Sequence, residues 1–140
     1  MNIEISEVAN LPSRFGTFKV KAFKETLKNG SKEHLVIYKE NLETIPLVRI
    51  HSECLTGDAL GSLKCDCRDQ LEYALTLAEK TGGMIIYLRQ EGRNIGLFNK
   101  INAYALQDTG LNTVEANHQL GFEADERTYE MVPYILEHFN

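Results

Sequence analysis

The pattern of apolar and polar positions predicts strands in the first third of the chain. Apolar and polar residues alternate over 3–8 and 17–23, which indicates two half-exposed strands. An Asn-Gly pair within 27–32 is a strong turn signal. The apolar run at 35–38 and the short segment at 47–50 predict two further strands. We therefore expect the chain to open with a β meander.

Helical periodicity dominates the rest of the chain. A helix is predicted over 68–80, closed by two glycines, and a buried strand follows at 84–88. This order predicts a crossover with some parallel pairing. Further helices are predicted at 97–107, 113–119 and 126–138. The predicted inward faces are Leu71, Ala74, Leu75 and Ala78 in the first helix, Leu97, Phe98, Ile101, Tyr104 and Ala105 in the second, and Tyr129, Val132, Ile135 and Leu136 in the last.

The fold class predicted from these elements is α/β. We expect a single domain over residues 1–140, in which the N-terminal β meander leads into a mixed sheet packed by helices. A chain of 140 residues with 43% hydrophobic and 25% charged residues is typical of a globular domain.

Net charge and hydropathy indicate which binding partners to expect. Fifteen basic and twenty acidic residues give a net charge of −5, which argues against binding to duplex nucleic acid. The apolar runs are too short for a membrane span, and the N-terminus has no signal-peptide pattern. With reduced cysteines, we expect a cytoplasmic protein that does not bind a membrane.

All three cysteines lie within one short stretch, at Cys54, Cys65 and Cys67. Three thiolates are suitable ligands for zinc, and three protein ligands leave the fourth tetrahedral position open for water. Residues two apart can share a face, and the glycines of the intervening loop allow the first thiol to approach the pair. The spacing is therefore typical of a catalytic zinc site.

Three other interpretations of these cysteines stay open at this stage. Two of them can form a disulfide, although the odd number argues against it. They can also be three unrelated buried thiols. If His51 or His118 supplied a fourth ligand, the zinc would be structural rather than catalytic.

A second constellation lies at 89–96, where two arginines, a carboxylate and two glycines join a predicted strand to a predicted helix. Guanidinium groups and helix-start amides suit a phosphate or nucleotide site, but a salt-bridged surface loop has the same pattern. The Asp125-Glu126-Arg127 segment is equally ambiguous, because Asp125 can serve as a helix cap.

Three long segments carry a resemblance to a known family: RIHSECLTGDALGSLKCDCRDQLE, YLRQEGRNIGLFNKINAYALQD and TVEANHQLGFEADER. They resemble the signature segments of GTP cyclohydrolase II, which opens GTP at the start of riboflavin biosynthesis. The resemblance implies a homodimer with one zinc per subunit, bound by Cys54, Cys65 and Cys67. It further implies hydrolysis at C8 of guanine, with release of formate and pyrophosphate to give 2,5-diamino-6-hydroxy-4-(5-phosphoribosylamino)pyrimidine.

The resemblance also implies roles for individual residues. Tyr104 would act near the charge that develops during ring opening. Asp125 and Arg127 match the family's proton acceptor and nucleophile, although a guanidinium is a poor nucleophile and a good clamp for phosphate. Magnesium would accompany the triphosphate. The implied substrate contacts are Arg49, Ile50, His51, Ser52, Glu53, Gln70, Glu91, Gly92, Arg93 and Thr113.

Family members continue beyond the last residue of this sequence, through a TNNPxK-like segment that contacts the nucleotide. The resemblance therefore predicts a chain that lacks this segment, and the alternative function is a catalytically weak remnant or regulatory protein that binds zinc and nucleotide. A structural zinc module that binds another macromolecule is a third hypothesis, which requires a closed set of four ligands.

Overall fold

The computed structural model describes residues 2–139, in which six strands and six short or medium helices are present. The strands are β1 (Asn2–Ile5), β2 (Ala9–Ser13), β3 (Gly16–Leu27), β4 (Gly30–Tyr38), β5 (Val48–Ser52) and β6 (Met84–Leu88). The helices are α1 (Leu55–Asp58), α2 (Cys67–Thr81), α3 (Glu91–Asn94), α4 (Leu97–Asp108), α5 (Thr113–Gln119) and α6 (Met131–His138).

The strands form one sheet, in the order β1-β3-β4-β6-β5 with β2 paired to β3. Strands β3 and β4 form the antiparallel hairpin that the Asn-Gly signal predicts, and its register ends with Leu27 opposite Gly30. Strand β5 is next to β6 in the sheet although α1 and α2 separate them in sequence. The predicted α/β fold, with an N-terminal β meander leading into a mixed sheet packed by helices, is confirmed.

Helix α2 packs on the sheet through the face that its periodicity predicts. Ala74 and Ala78 are buried together with Phe18, Ile37 and Ile85 of the strands. Leu75 packs against the same cluster and Leu71 is half-buried. Burial of this apolar face holds α2 in place, and α2 begins at Cys67, one of the three cysteines.

Contacts between Cα atoms group the chain into two compact units. The first contains Met1–His51 and Thr56–Arg89, and so includes the meander, α2 and β6. The second contains Ser52–Leu55 and Gln90–Asn140, and so includes α3 to α6. The single domain over 1–140 stays a prediction, and its two end residues lie outside the described residues. Within residues 2–139, no helix has the length and apolar character that crossing a membrane requires.

The predicted strand at 3–8 is wrong in its extent, and β2 is missed. Strand β1 ends at Ile5 because the Ser6 side chain replaces a backbone acceptor: the Ala22 amide donates to Ser6 Oγ at 2.8 Å. Strand β2 is exposed along its whole length and contains Pro12. An edge strand tolerates proline and needs no apolar face, so the hydrophobic pattern contains no signal for it.

The last helix is shorter than predicted, since α6 begins at Met131 rather than near 126. Proline is tolerated in the first turn of a helix but clashes with the preceding turn further inside. Pro133 therefore prevents an earlier start. Val132 and Ile135 are buried as predicted, whereas Tyr129 and Leu136 are exposed. Asp125 is consequently not a helix cap.

The predicted inward face of α4 is also wrong. Leu97, Phe98, Ile101 and Ala105 are exposed, Phe98 to 80%, and Tyr104 is half-buried. The helix instead buries Lys100 and Ala103. Its orientation is set by a buried ion pair between Lys100 and Glu91, whose charged atoms are 2.6 Å apart, and not by the apolar stripe.

Candidate metal centre and surrounding residues

The three cysteines converge as their spacing predicts. Their sulfur atoms all lie within 4.8 Å of one another, a separation at which one metal ion can contact all three. Cys54 is buried, and Cys65 and Cys67 are half-buried. Helix α1 and the loop at 59–66 carry the chain from the first thiol back to the pair.

The convergence removes two of the alternative interpretations. None of the three cysteines forms a disulfide in the described residues, and thiols that meet around one point are not unrelated. Within residues 2–139, neither His51 nor His118 belongs to the group of potential ligands. The donor set is thus three soft sulfur atoms, which fits Zn²⁺ and matches a site with one open coordination position.

His51 is held by a network that the sequence did not reveal. His51 Nε2 lies 3.0 Å from Asp58 Oδ1, the Tyr87 hydroxyl donates to the other carboxylate oxygen, and the His51 and Tyr87 rings stack. A carboxylate can only accept, so Nε2 carries a proton and donates to Asp58. Nδ1 is buried and has no hydrogen-bond partner among the described residues. The network therefore fixes the orientation of the His51 ring.

Two predicted substrate contacts on β5 and α2 lie next to each other. Arg49 Nη2 donates to Gln70 Oε1 at 3.1 Å. Both side chains line a cavity of about 230 Å³, together with Tyr73, Met84 and other apolar residues. The two residues are 21 positions apart in sequence, and the packing of α2 on the sheet brings them together.

The segment after β6 forms a left-handed turn. Gly92, Arg93 and Asn94 have φ values of 62°, 57° and 72°, a conformation that is costly for residues other than glycine. The backbone approaches α4 closely at Gly92, where an added Cβ would lie 3.0 Å from Lys100 Cβ. Such strain persists only where surrounding contacts determine it, and it is common at functional sites.

Contacts from this turn hold the loop at 124–128. Arg93 donates to the Ala124 carbonyl at 3.2 Å, and its own carbonyl accepts from the Glu126 amide at 3.0 Å. The buried Gln90 accepts from the Thr128 amide at 3.1 Å and donates to Ser52 Oγ at 3.1 Å. Two of the predicted site segments, 91–93 and 125–127, are thus brought together.

Asp125 and Arg127 form a bidentate pair within that loop. Arg127 Nε and Nη2 donate to the carboxylate at 2.9 and 2.5 Å. The side-chain hydrogen bonds from Arg127 lower the pKa of Asp125 to about 2, with the nearby Arg93 charge acting in the same direction. The same hydrogen bonds raise the pKa of Arg127. Both groups are therefore charged at neutral pH.

Lys100 is a buried lysine that contacts a predicted metal ligand. Its Nζ donates to Glu91 Oε1 at 2.6 Å and to Cys54 Sγ at 3.0 Å, and it lies 5.6 Å from the centre of the Tyr104 ring. Burial acts to lower the pKa of Lys100, but the hydrogen bonds to Glu91 and Cys54 outweigh it and raise that pKa. Lys100 connects three predicted site residues.

The remaining residues predicted to contact the substrate differ in solvent exposure. Ile50 and Thr113 are exposed, and Glu53 is half-buried. Thr113 is the first residue of α5 and directly follows the capping residue Asn112. Their exposure leaves Ile50 and Thr113 accessible from the surface.

Sequence reasoning missed the residues that orient the site, namely Asp58, Tyr87, Gln90, Asn94 and Lys100. A polar side chain leaves no mark on hydrophobic periodicity unless it falls on an apolar face. Lysine in particular is normally exposed, so Lys100 has no local signal. Only Tyr87, inside the apolar run of β6, had a position that indicated burial.

An α/β fold that carries three converging thiols is typical of a metal-dependent enzyme. The chain matches the family described as GTP cyclohydrolase II over residues 4–140. A relative named GTP cyclohydrolase-2 from Campylobacter hominis is 72% identical over 139 residues, which are 99% of this chain and 70% of that relative. The relatives of the same name from Helicobacter hepaticus and Helicobacter pylori strain Shi470 are 62% and 58% identical, over 100% and 98% of this chain and 74% and 71% of their own lengths.

The chain belongs to the GTP cyclohydrolase II family. The prediction of the family, and of a hydrolase within it, is confirmed. The individual site residues stay predictions, supported by the contacts described above.

Proposed function

We propose that the protein is a zinc-dependent enzyme that hydrolyses GTP at C8 of guanine and releases formate and pyrophosphate. The product would be 2,5-diamino-6-hydroxy-4-(5-phosphoribosylamino)pyrimidine, in the first step of riboflavin biosynthesis. The observation that carries the proposal is the cluster of three thiols within 4.8 Å in a chain of this family. The name of the relatives supports GTP as the substrate.

The donor set fits zinc, with Cys54, Cys65 and Cys67 as its ligands. When bound there, zinc supplies a Lewis acid that makes water a stronger nucleophile near neutral pH. Cys54 is buried and contacts Lys100, which fixes one ligand before any metal arrives. We assign one zinc to each subunit.

The base and ribose would be recognised by the predicted contacts on β5, α2 and the left-handed turn. His51 Nδ1 has no hydrogen-bond partner among the described residues, and we assign it to a hydrogen bond with the substrate. Arg49 and Gln70 are hydrogen-bonded to each other at 3.1 Å, and each has further donors for a ligand. The full predicted set also includes Ile50, Ser52, Glu53, Glu91, Gly92 and Thr113.

The triphosphate would be held by Arg93 and Arg127, which contacts between 90–94 and 124–128 bring into one region. We assign Arg127 as an electrostatic clamp rather than a nucleophile, because its bond to Asp125 raises a pKa that is already high. Asp125, with a pKa of about 2, would position the guanidinium and is a weak proton acceptor. Magnesium would offset the charge of the departing pyrophosphate.

Tyr104 would donate a hydrogen bond near the charge that develops in ring opening. The Lys100 ammonium lies 5.6 Å from its ring centre, so Tyr104 lies beside the lysine that contacts Cys54. We further propose a cytoplasmic homodimer in which residues 1–140 form one domain, with no nucleic acid or membrane partner.

The deciding experiment measures zinc content and formate release from GTP with the same preparation. The unaltered protein should bind one zinc and release formate. Cys65→Ser should lose the metal and formate release together, because a two-sulfur site binds zinc weakly. Ser62→Ala, in the same loop, should retain both.

Two outcomes would decide against the proposal. Full formate release by zinc-free Cys65→Ser would exclude the assigned ligand set. If the unaltered protein binds zinc and GTP but releases no formate, the protein is the catalytically weak nucleotide-binding remnant and not the enzyme.

A further inference from the structure

The Glu91 and Lys100 ion pair is buried to a degree that is rare for such residues. Each is only 8% exposed, and their charged atoms are 2.6 Å apart. Buried charges of this kind normally have a partner or a function. Here the pair has a third member, because Lys100 Nζ also lies 3.0 Å from Cys54 Sγ.

Glu91 also holds the backbone next to Cys54. Its Oε2 accepts from the amide of Leu55, the residue after Cys54, at 2.7 Å, while Oε1 accepts from Lys100 and from the Gly92 amide. One carboxylate therefore fixes both the main chain beside Cys54 and the lysine that donates to its sulfur. A rotation of the cysteine would break one of these bonds.

The left-handed turn makes room for this arrangement. Gly92 has a φ of 62°, and a Cβ there would lie 3.0 Å from Lys100 Cβ and 3.3 Å from Ile95 Cγ1. A side chain at position 92 would therefore force the lysine stem to shift by a few tenths of an ångström. Glycine at position 92 thus lets the Lys100 side chain lie close to the backbone of the turn.

We propose that Lys100 is a positioning residue of the metal site, which Glu91 holds so that its ammonium donates a hydrogen bond to the sulfur of Cys54. The inference rests on the proposed function, in which Cys54 binds zinc. Three thiolates outweigh the two positive charges of the ion, and a buried excess of negative charge is unfavourable. The ammonium offsets that excess and restricts the Cys54 side chain to one orientation.

The inference assigns Glu91 a task besides its predicted contact with the substrate. Three hydrogen bonds from Leu55, Gly92 and Lys100 occupy most of the acceptor capacity of a carboxylate. Loss of Glu91 should therefore weaken the metal site as well as substrate binding.

The test is the zinc affinity of Lys100→Met, measured by competition with a chromophoric chelator. Methionine keeps most of the length of the side chain and removes the charge and the donor. Removing a partner of a metal ligand typically weakens metal binding about 10- to 100-fold, and we expect a loss in that range. Lys100→Arg, which keeps charge and donors, should recover part of it.

Lys39→Met is the matched control. Lys39 also forms an ion pair, with Glu79 at 2.5 Å, and we expect its removal to leave zinc affinity unchanged.

The absorption spectrum of the Co²⁺-substituted protein separates a positioning role from general destabilisation. Loss of the hydrogen bond to Cys54 should move the sulfur-to-metal charge-transfer band to lower energy in Lys100→Met. The band should not move in Lys39→Met.

The outcomes distinguish the inference from the proposed function. If the unaltered protein does not bind zinc, both are wrong. If Lys100→Met binds zinc as tightly as the unaltered protein, with the same Co²⁺ spectrum, the inference alone is wrong. Should Lys100→Met fail to fold, Glu91→Gln decides in the same assays, and unchanged zinc affinity with an unchanged Co²⁺ spectrum would overturn the inference.

Discussion

At the scale of single residues, the charged groups of the site differ in how strongly the fold holds them. Glu91 and Lys100 are buried, and each has several partners. The side chains of Asp125 and Arg127 are 42% and 32% exposed, so solvent screens their attraction. The fold therefore fixes the buried pair, whereas solvent weakens the attraction within the exposed pair.

The pH dependence of the Asp125 and Arg127 pair provides a test at this scale. The pKa of Asp125 falls from 3.8 to about 2 on folding, so its contribution to stability is present above pH 3.8 and is lost as the pH falls toward 2. Because the pair is exposed, Asp125→Asn should lower the free energy of unfolding by at most about 1 kcal/mol at neutral pH. Urea denaturation at a series of pH values measures this difference.

The difference between the unaltered protein and Asp125→Asn should shrink as the medium becomes more acidic. Thr128→Ala, in the same loop, removes no charge, and its effect should not depend on pH in this range. A difference that grew below pH 3.8 would mean that the pKa of Asp125 is raised rather than lowered, and would remove the argument that Asp125 is a weak base.

At the scale of elements, the cap of α5 positions a predicted substrate contact. Asn112 Oδ1 accepts from the Glu115 amide at 2.8 Å, and Glu115 Oε1 accepts from the Asn112 amide at 2.9 Å. This reciprocal capping box determines where the helix begins. Thr113, the first helical residue, is therefore held at a defined position although its side chain is exposed.

Asn112→Ala should destabilise the protein by about 0.5 to 2 kcal/mol, because the Glu115 amide at the helix start loses its side-chain acceptor. Thermal or urea denaturation measures the loss. If Thr113 contacts the substrate, the same change should also weaken GTP binding.

Asn102→Ala provides the control, since Asn102 lies exposed within α4. Alanine has the higher helix propensity, so this change should leave stability equal or slightly increased. Equal destabilisation by the two alanine variants would mean that the capping box contributes nothing specific to α5.

At the scale of the whole molecule, the metal should stabilise the folded chain. Its three ligands are brought together only by folding, so zinc binds the folded state in preference to the unfolded one. At free zinc 100 times the dissociation constant, the free energy of unfolding should rise by about 2.7 kcal/mol. Calorimetry before and after chelation, with zinc returned to the stripped protein, measures this change.

Cys65→Ser is the control for the metal effect. Its unfolding temperature should be that of the stripped protein and should not respond to zinc. An identical unfolding temperature for the unaltered protein with and without zinc would show that the metal does not bind the folded chain at these sulfurs.

Much of the fold was predictable, because long elements with one apolar face carry their own signal. Helix α2 was predicted within one residue at each end, and α5 and β6 with the observed bounds. The errors occurred where something other than the burial of an apolar face determines the position or the extent of an element. Pro133 sets the start of α6, an ion pair orients α4, and β2 is an exposed edge strand that has no apolar face to detect.

The sequence by itself determined the chemistry that its residue types allow: three closely spaced thiols for a metal, arginines and glycines for phosphates, and the signature segments of the family. Spacing was enough here because the cysteines lie within 14 residues of one another.

The tertiary structure alone decided which polar groups orient that chemistry. Lys100 and Cys54 are 46 positions apart, Leu55 and Glu91 are 36 apart, and Tyr87 and Asp58 are 29 apart. The physical reason is that hydrophobic periodicity records the local environment of a segment, whereas a buried hydrogen bond depends on two segments meeting. No pattern within either segment specifies its partner.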